Sequence, residues 1–294
     1  MTPIVSIIIP TYNRLDSLLK TLESIQAQSR QSYEVIIIDD NGEDGTSQAL
    51  AGMDKVCVLV NATRQGPSYG RNRGIKEARG EYVWFLDSDV TLPDQNLLER
   101  MVATFSANPE TGSLGGEIVV HEQQAGFAYG RKILWNAQNK RVPSSAGNSD
   151  LVKCDYLATC NCFTRKEYAQ RLNGFDERFV FGAEDMDFGF RLKEFGYHNY
   201  VRHDLAVLHY HEKKGRYADE TVRYQTTRII FARKHFSRFR ILAMFLVDVL
   251  SASVFYIVLI PKLVYMIITG RKILAQNLAG GLNMVKPYFA KQLE

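Results

Sequence analysis

Asp87-Ser88-Asp89 follows an apolar run, Tyr82 to Leu86, that reads as a strand. In a regular strand, residues i and i+2 point the same way. Two carboxylates facing one way repel each other unless a cation or sugar hydroxyls lie between them. Oxygen ligands of this kind suit Mg²⁺ or Mn²⁺ carrying a diphosphate. Alone, Asp-x-Asp is common in solvated turns. It gains weight from its place, because Pro10-Thr11-Tyr12-Asn13 and Asp39-Asp40-Asn41-Gly42 also follow apolar runs. A second acidic cluster is Glu184-Asp185-Met186-Asp187, and His209-Tyr210-His211 closes a short strand-like segment further on.

The elements that must position these groups can be read from periodicity. Val5 to Ile9, Val35 to Ile38 and Val56 to Val60 read as buried strands, with Tyr82 to Leu86 as the fourth. Leu15, Leu18, Leu19, Leu22 and Ile25 recur at helical spacing. Another helix opens at Gly45-Thr46, one is read over Gly74 to Arg79, and one over Phe188 to Phe195, ended by Gly196. A further short strand is read within Val201 to Leu208, and Pro143 to Asp150 is a loop. Strands alternating with helices imply βαβ units and a parallel sheet, with ligands at the carboxyl ends of the strands. Gly66, Gly70 and Gly74 do not spell a dinucleotide fingerprint and read as a turn and close helix packing, and no Gly-Lys-Ser/Thr phosphate loop is present.

The bulk composition excludes little. The chain has 294 residues, 46% of them hydrophobic, which suits one large domain with an appendage. A net charge of +4 gives no reason to expect a nucleic-acid partner. Cys57, Cys154, Cys160 and Cys162 are expected as reduced thiols, since the opening MTPIVSIIIP reads as a strand rather than a secretory leader and Cys160-Asn161-Cys162 has the wrong spacing for zinc.

Four motifs in order, VSIIIPTYNR, IIIDDNGEDGT, GRNRGIKEARGEYVWFLDSD and GFDERFVFGAEDMDFGFRL, resemble those of the family 2 inverting glycosyltransferases, over about Val5 to His211. The resemblance implies an α/β fold of the GT-A type, a Rossmann-like and mostly parallel sheet with flanking helices. It implies that Pro10, Thr11, Tyr12 and Asn13 bracket the nucleotide base, and that Asp39 or Asp40 accepts the base imide hydrogen, as uracil or thymine would offer. It places Arg71 and Asn72 near base and phosphates. Asp87 would bind the ribose and the ion, and Asp89 the ion. Asp185 would be the catalytic base with Glu184 beside it, facing the acceptor, and His209 a metal ligand with His211 as fallback. One departure stands out: Arg64 holds a place where many members carry Asn.

Each residue also has a plainer reading. Asp39 or Asp40 could cap the helix near Gly45. Asp185 and Asp187 could be a solvated turn or first-turn helix charges, and His209 a structural histidine. Together these would leave several carboxylates converging on one face without a reason. One base and no protein nucleophile implies direct displacement with inversion; the resemblance implies a UDP- or dTDP-sugar as donor and Mn²⁺ or Mg²⁺ as cofactor. The rivals are a glycosidase, which would not need the nucleotide loops, and a sugar-nucleotide pyrophosphorylase, which would show a Gly-rich loop after the first strand. A non-catalytic nucleotide-sugar-binding subunit of a glycan assembly complex is a third.

The last quarter differs. Arg228, Arg233, Lys234, His235, Arg238 and Arg240 precede Ile241 to Thr269, an apolar stretch interrupted by Asp248, Pro261 and Lys262. Its longest uncharged run, Val249 to Pro261, is too short to span a bilayer. Residues 1–227 therefore read as the catalytic domain and 228–294 as C-terminal amphipathic, membrane-associated helices. This region is expected to give peripheral or monotopic contact with the cytoplasmic face of the cell membrane, where the acceptor would be a glycan or a lipid-linked glycan. Its alternative is a buried helix at a homo-oligomer interface.

Overall fold

The computed structural model describes residues 2–120, 125–128, 130–142, 150–179, 182–210 and 220–251. In chain order the elements are β1 (Val5–Thr11), α1 (Leu15–Gln26), β2 (Tyr33–Asp39), α2 (Thr46–Ala49), β3 (Val56–Val60), α3 (Pro67–Glu77), β4 (Tyr82–Leu86), β5 (Val90–Thr91), α4 (Leu97–Ser106), β6 (Thr111–Gly115), β7 (Glu117–Val120), β8 (Ala125–Ala128), β9 (Gly130–Ile133), β10 (Asn139–Arg141), β11 (Val152–Cys154), β12 (Tyr156–Leu157), β13 (Asn161–Arg165), α5 (Lys166–Arg171), α6 (Glu184–Glu194), β14 (His198–Val201), β15 (Val207–His209) and α7 (Glu220–His235).

Among the described residues the main sheet has the order β11-β14-β6-β13-β4-β1-β2-β3. The β4-β1-β2-β3 half is parallel throughout, as the βαβ pattern predicts. The other half is mixed: β13 runs against both β4 and β6. Val5, Ile7, Ile8, Ile9, Ile37 and Ile38 are fully buried, which is why these strands read as unbroken apolar runs rather than alternating ones. Each such side chain contributes about 1.5–3 kcal/mol on burial. Helix α3 lies close on this sheet, and a Cβ added at Gly74 would meet Ile8 Cγ2 at 2.4 Å.

Element bounds differ from expectation in two places that matter. Helix α3 starts at Pro67 rather than Gly74, because proline fits the first helical position and Gly66 takes φ +88° before it. This puts Arg71 and Asn72 on a helix instead of a loop. Helix α6 starts at Glu184 rather than Phe188, so Glu184 and Asp185 form its first turn. Within the segment Val201 to Leu208, Val201 ends β14 and Val207 and Leu208 open β15, with residues 202–206 between the two strands.

The chain divides into two compact units. The described residues of the second are 134–138, 182–183 and 220–251. Its core holds Ile229, Phe231, Ala232 and Met244, with a buried ion pair between Arg228 and Asp248. Residues 238–251 are helical, and the rest of the apolar stretch, from 252, lies outside the described residues, as do His211 and most of the Pro143 to Asp150 loop. Among the described residues no helix is long and apolar enough to cross a membrane. All four cysteines are free thiols.

Candidate functional site

The loops after β1 and β2 are built as one unit. Asn13 Oδ1 accepts the N–H of Glu43 at 2.7 Å, and Asp44 accepts from Leu15 N at 2.8 Å and from the Thr46 hydroxyl at 2.7 Å. Asp44, not Asp39 or Asp40, therefore ties down the start of α2. Asn13 and Asn41 hold φ near +60° (53° and 65°), where asparagine is tolerated better than most residues. The two neighbouring acids then separate into distinct jobs. Asp40 accepts from Asn61 Nδ2 (2.6 Å), Gln65 N (2.8 Å) and Gly66 N (2.8 Å), which anchors the loop leading into α3. Asp39, 2% exposed at the end of β2, accepts from Gly42 N at 2.8 Å and from no other donor among the described residues. Burial raises its pKa, and Asp44 and Asp40 add to the rise against the opposing Gly42 bond. Among the described residues the Thr11 hydroxyl, buried beside these loops, has no partner, the kind of orphan a bound ligand satisfies. Pro10 is partly exposed before it, and Arg64 lies over the Tyr12 ring at 4.0 Å.

Arg71 is the hub of the site. From the middle of α3 its guanidinium, 3% exposed, donates to Asp87 at 3.0 Å and to Glu184 at 3.2 Å. Burial opposes its charge, but Asp87, Glu184 and Asp185 outweigh that and raise its pKa. Its Nε is buried with no partner among the described residues. Asn72 is turned the other way: its amide donates to Phe175 O (2.9 Å) and Glu177 (2.8 Å) and accepts from Phe175 N (2.7 Å). It clamps the loop before the Glu184 cluster.

Asp87, Asp89 and His209 bring ligand atoms within 4.8 Å of one another. The cause is strand pairing: His209 stands opposite Val90 across β15 and β5, and Tyr210 N bonds Asp89 O at 3.0 Å. His209 Nε2 lies 3.0 Å from Asp89 Oδ1, and Arg14 donates to Asp89 Oδ2 at 3.2 Å. Asp185 opens α6, with Oδ1 accepting Met186 N at 2.7 Å. Its pKa is pushed up to about 7, first by burial and then by Glu184; Arg131 and Arg71 pull less strongly the other way. The buried Cys160 thiol, raised well above its ordinary value by burial and by Asp87, Asp89 and Asp185, marks how closely those acids converge. Two carboxylates with an imidazole, Asp87, Asp89 and His209, suit Mn²⁺ or Mg²⁺.

This geometry has relatives. Residues 6–172 match the family described as Glycosyl transferase family 2. The chain belongs to glycosyltransferase family 2. It is 29% identical over 213 residues to glycosyltransferase AglE of Haloferax volcanii, covering 70% of this chain and 67% of AglE. It is 25% identical over 244 residues to the amylovoran biosynthesis glycosyltransferase AmsB of Erwinia amylovora, 79% of each chain. Among solved structures it is similar to the mannosyltransferase PcManGT of Pyrobaculum calidifontis, in complex with GDP-Man and Mn²⁺, at TM-score 0.59 and 21% identity over 80% of this chain and 64% of that one. GalNAc-T7 with UDP, GalNAc and Mn²⁺ gives TM-score 0.64 and 16% identity, over 79% of this chain and 48% of that one. The chain thus spans about two thirds of AglE and PcManGT and about half of GalNAc-T7. The fold is the GT-A α/β fold of these neighbours.

In this family 2 glycosyltransferase Asp187 lies in the first turn of α6, as one plain reading has it, but it is not solvated. Asp187 is fully buried and bonds Arg191 at 2.8 Å, and Arg191 in turn holds the carbonyls of Leu172 (2.7 Å) and Gly174 (2.8 Å). Sequence reasoning also passed over Arg14, Asn61 and Arg131. Arg14 stood inside the PTYNR motif and was legible there; Asn61 and Arg131 belong to no motif, and only the fold brings them to the site.

Proposed function

We propose that the chain is an inverting transferase moving one sugar from a nucleoside-diphosphate donor, a UDP- or dTDP-sugar, to the hydroxyl of a glycan or lipid-linked glycan acceptor in polysaccharide or glycolipid biosynthesis. The observation that carries this reading is the arrangement around Arg71, which joins Asp87 of the Asp87-Asp89-His209 cluster to Glu184 beside the high-pKa Asp185. A lipid-linked acceptor is supported by a similar Campylobacter jejuni protein, 38% identical over 92 residues and 30% of each chain, which is a GalNAc(5)-diNAcBac-PP-undecaprenol beta-1,3-glucosyltransferase.

In this reading the donor base lies against Pro10, Thr11 and Tyr12, and Asp39 accepts its imide hydrogen. Asp40 is already committed to the 61–66 loop and serves as a strut. Asn13 and Asn72 shape the pocket by holding its loops. Asp87, Asp89 and His209 would hold Mn²⁺ or Mg²⁺, which acts when bound as a Lewis acid on the leaving diphosphate. Asp185 takes the acceptor hydroxyl proton while that oxygen bonds C1 of the sugar. The C1–O bond to the diphosphate breaks on the opposite face and leaves its electron pair on the diphosphate oxygen. The displacement inverts C1 and passes through an oxocarbenium-like state. A carboxyl raised to about 7 is a stronger base than an ordinary aspartate and is about half ionised at neutral pH, which suits such a step. Glu184, held by Arg71, keeps that pKa high.

Residues 228–294 are read as holding the enzyme at the cytoplasmic face of the membrane. The basic run from Arg228 to Arg240 before an apolar segment supports this.

Calorimetry with UDP, dTDP and GDP tests the donor site. UDP or dTDP should bind, tighter with Mn²⁺ than in EDTA, and Asp39→Asn should weaken it. Equal binding with and without Mn²⁺ contradicts the metal assignment, and no binding of any diphosphate contradicts the function.

A further inference from the structure

We propose that the turn Leu134–Gln138 and the outer face of the helix over residues 238–251 form one surface that sits in the interfacial layer of an anionic lipid bilayer. This rests on the membrane reading above and extends it to a segment about 100 residues upstream of the basic and apolar tail.

The helix is amphipathic in the inverted sense. Met244 and Asp248, spaced i and i+4, are buried, and Asp248 pairs with the buried Arg228. The opposite face carries Phe239 (86% exposed), Leu242 (54%), Leu246 (57%) and Leu250 (65%), at the i, i+3, i+7, i+11 spacing of one helix face. A helix facing water turns its leucines inward and its acid outward; this one does the reverse. Among the described residues no acid other than Asp248 occurs between Phe239 and Ser251, and the positions before and after Phe239 are Arg238 and Arg240.

The turn is fastened to this helix. Arg240 Nε donates to Trp135 O at 2.6 Å, and its Nη2 reaches Leu134 O at 3.4 Å. The guanidinium also lies 3.3 Å from the centre of the Phe236 ring. Arg240 therefore satisfies the turn's backbone, while the side chains of Leu134 (37% exposed) and Trp135 (51% exposed) stand outward. The turn also closes on itself, through Leu134 N to Gln138 O (2.7 Å) and Ala137 N to Leu134 O (3.0 Å). Tryptophan, phenylalanine and leucine facing out beside arginines make the composition of an interfacial surface: the rings and aliphatic chains enter the headgroup boundary and the cations meet anionic lipid. Charge selects the occupant. Arg238 is exposed beside Phe239, and no acid but the buried Asp248 occurs among the described residues of the helix, so an anionic bilayer fits and a second copy of the same cationic face does not.

The chain carries its own reporter. It has two tryptophans, and Trp84 is fully buried in the sheet, so a change in emission on adding lipid reports Trp135. The full-length protein is titrated with vesicles of phosphatidylglycerol and phosphatidylcholine, with phosphatidylcholine alone, and with brominated lipid in the anionic mixture. Emission should shift to the blue and be quenched by brominated lipid on anionic vesicles only, and Trp135→Phe should abolish the signal. Leu246→Asp, on an exposed position, should weaken vesicle partitioning by at least about tenfold. If the protein pellets with anionic vesicles while Trp135 stays unshifted and unquenched, the tail binds lipid but this surface does not, and the proposal fails alone. If it does not pellet with anionic vesicles, the membrane reading fails and takes the proposal with it. A blue shift that depends on protein concentration without lipid assigns the surface to self-association and overturns it.

Discussion

Asp185→Asn should make the protein slower and more stable at once. The substitution keeps the Oδ1 that accepts Met186 N and removes the charge. Asp185 moves from an ordinary 3.8 to about 7, chiefly because it is desolvated and secondly because Glu184 stands beside it. A raised carboxyl pKa means that the charge opposes folding: the penalty is complete above about pH 7 and fades as the pH falls towards 3.8. At about 1.36 kcal/mol for each tenfold change in acidity, the full penalty would be about 4 kcal/mol. Solvent reaches the partly exposed carboxyl and screens much of it, which leaves about 1–2 kcal/mol. At about 2–4 °C per kcal/mol, the variant's Tm should rise by about 2–8 °C at pH 8, with the gain shrinking towards pH 4. Transfer should fall by about 10²–10⁴-fold, the usual contribution of a general base. In the wild type, activity requires the ionised form, so it should decline with one proton as the pH drops through about 7, and the variant should lack that limb. The assays are thermal melts without metal at pH 4 to 8 and diphosphate release over the same range. A variant that is both dead and destabilised at pH 8 would refute the account of Asp185 as a desolvated base whose charge opposes folding. A variant with unchanged transfer would move the chemistry elsewhere.

Asp187→Asn, two residues on, should do the opposite: it leaves Arg191 without its buried charge partner and should cost about 3 kcal/mol, read as a lower Tm and poorer soluble yield, and an unchanged Tm would contradict the burial argument. His209→Ala should weaken Mn²⁺ binding by at least about tenfold, measured by Mn²⁺ electron paramagnetic resonance; undiminished affinity would remove the histidine from the cluster. Gly74→Ala places a Cβ 2.4 Å from Ile8 Cγ2 and should cost about 1–3 kcal/mol in a denaturant titration, since β1 beneath it is fully packed; a neutral result would mean that α3 shifts freely on the sheet.

The parts legible in the sequence were those with a period or a motif. Val5 to Ile9 and Val35 to Ile38 read as buried parallel strands because both faces are covered, and the polar loops fell at their carboxyl ends as expected. Asp87-Ser88-Asp89 is weak as a pattern and gains weight from its place at a strand end and from the family resemblance; the β5–β15 pairing brings His209, 120 residues away, beside Asp89. What could not be read is which of two neighbouring acids does which job. Asp39 and Asp40 differ only in where the chain turns after β2, and that turn gives Asp40 three donors from a loop more than 20 residues on. Asp185 and Asp187 lie on one helix two residues apart, about 200° round its axis. Only the packing shows that the second faces Arg191 in the interior. The Arg228–Asp248 pair also argues against removing residues from Ile241 onward as a test of the tail, because the cut would orphan a buried guanidinium. Point changes on the exposed face avoid that.

The central claim is that this cluster of acids transfers a sugar from a nucleoside diphosphate with a bound divalent cation. Its most direct test is release of UDP, dTDP or GDP from a panel of nucleotide-sugars, with membranes as the acceptor source. The assay compares the wild type with Mn²⁺, the wild type in excess EDTA, and Asp185→Asn with Mn²⁺. The account predicts release from a UDP- or dTDP-sugar in the first case, none in the second, and a rate lower by about 10²-fold or more in the third. Equal release in all three, or release from none of the panel, would contradict it.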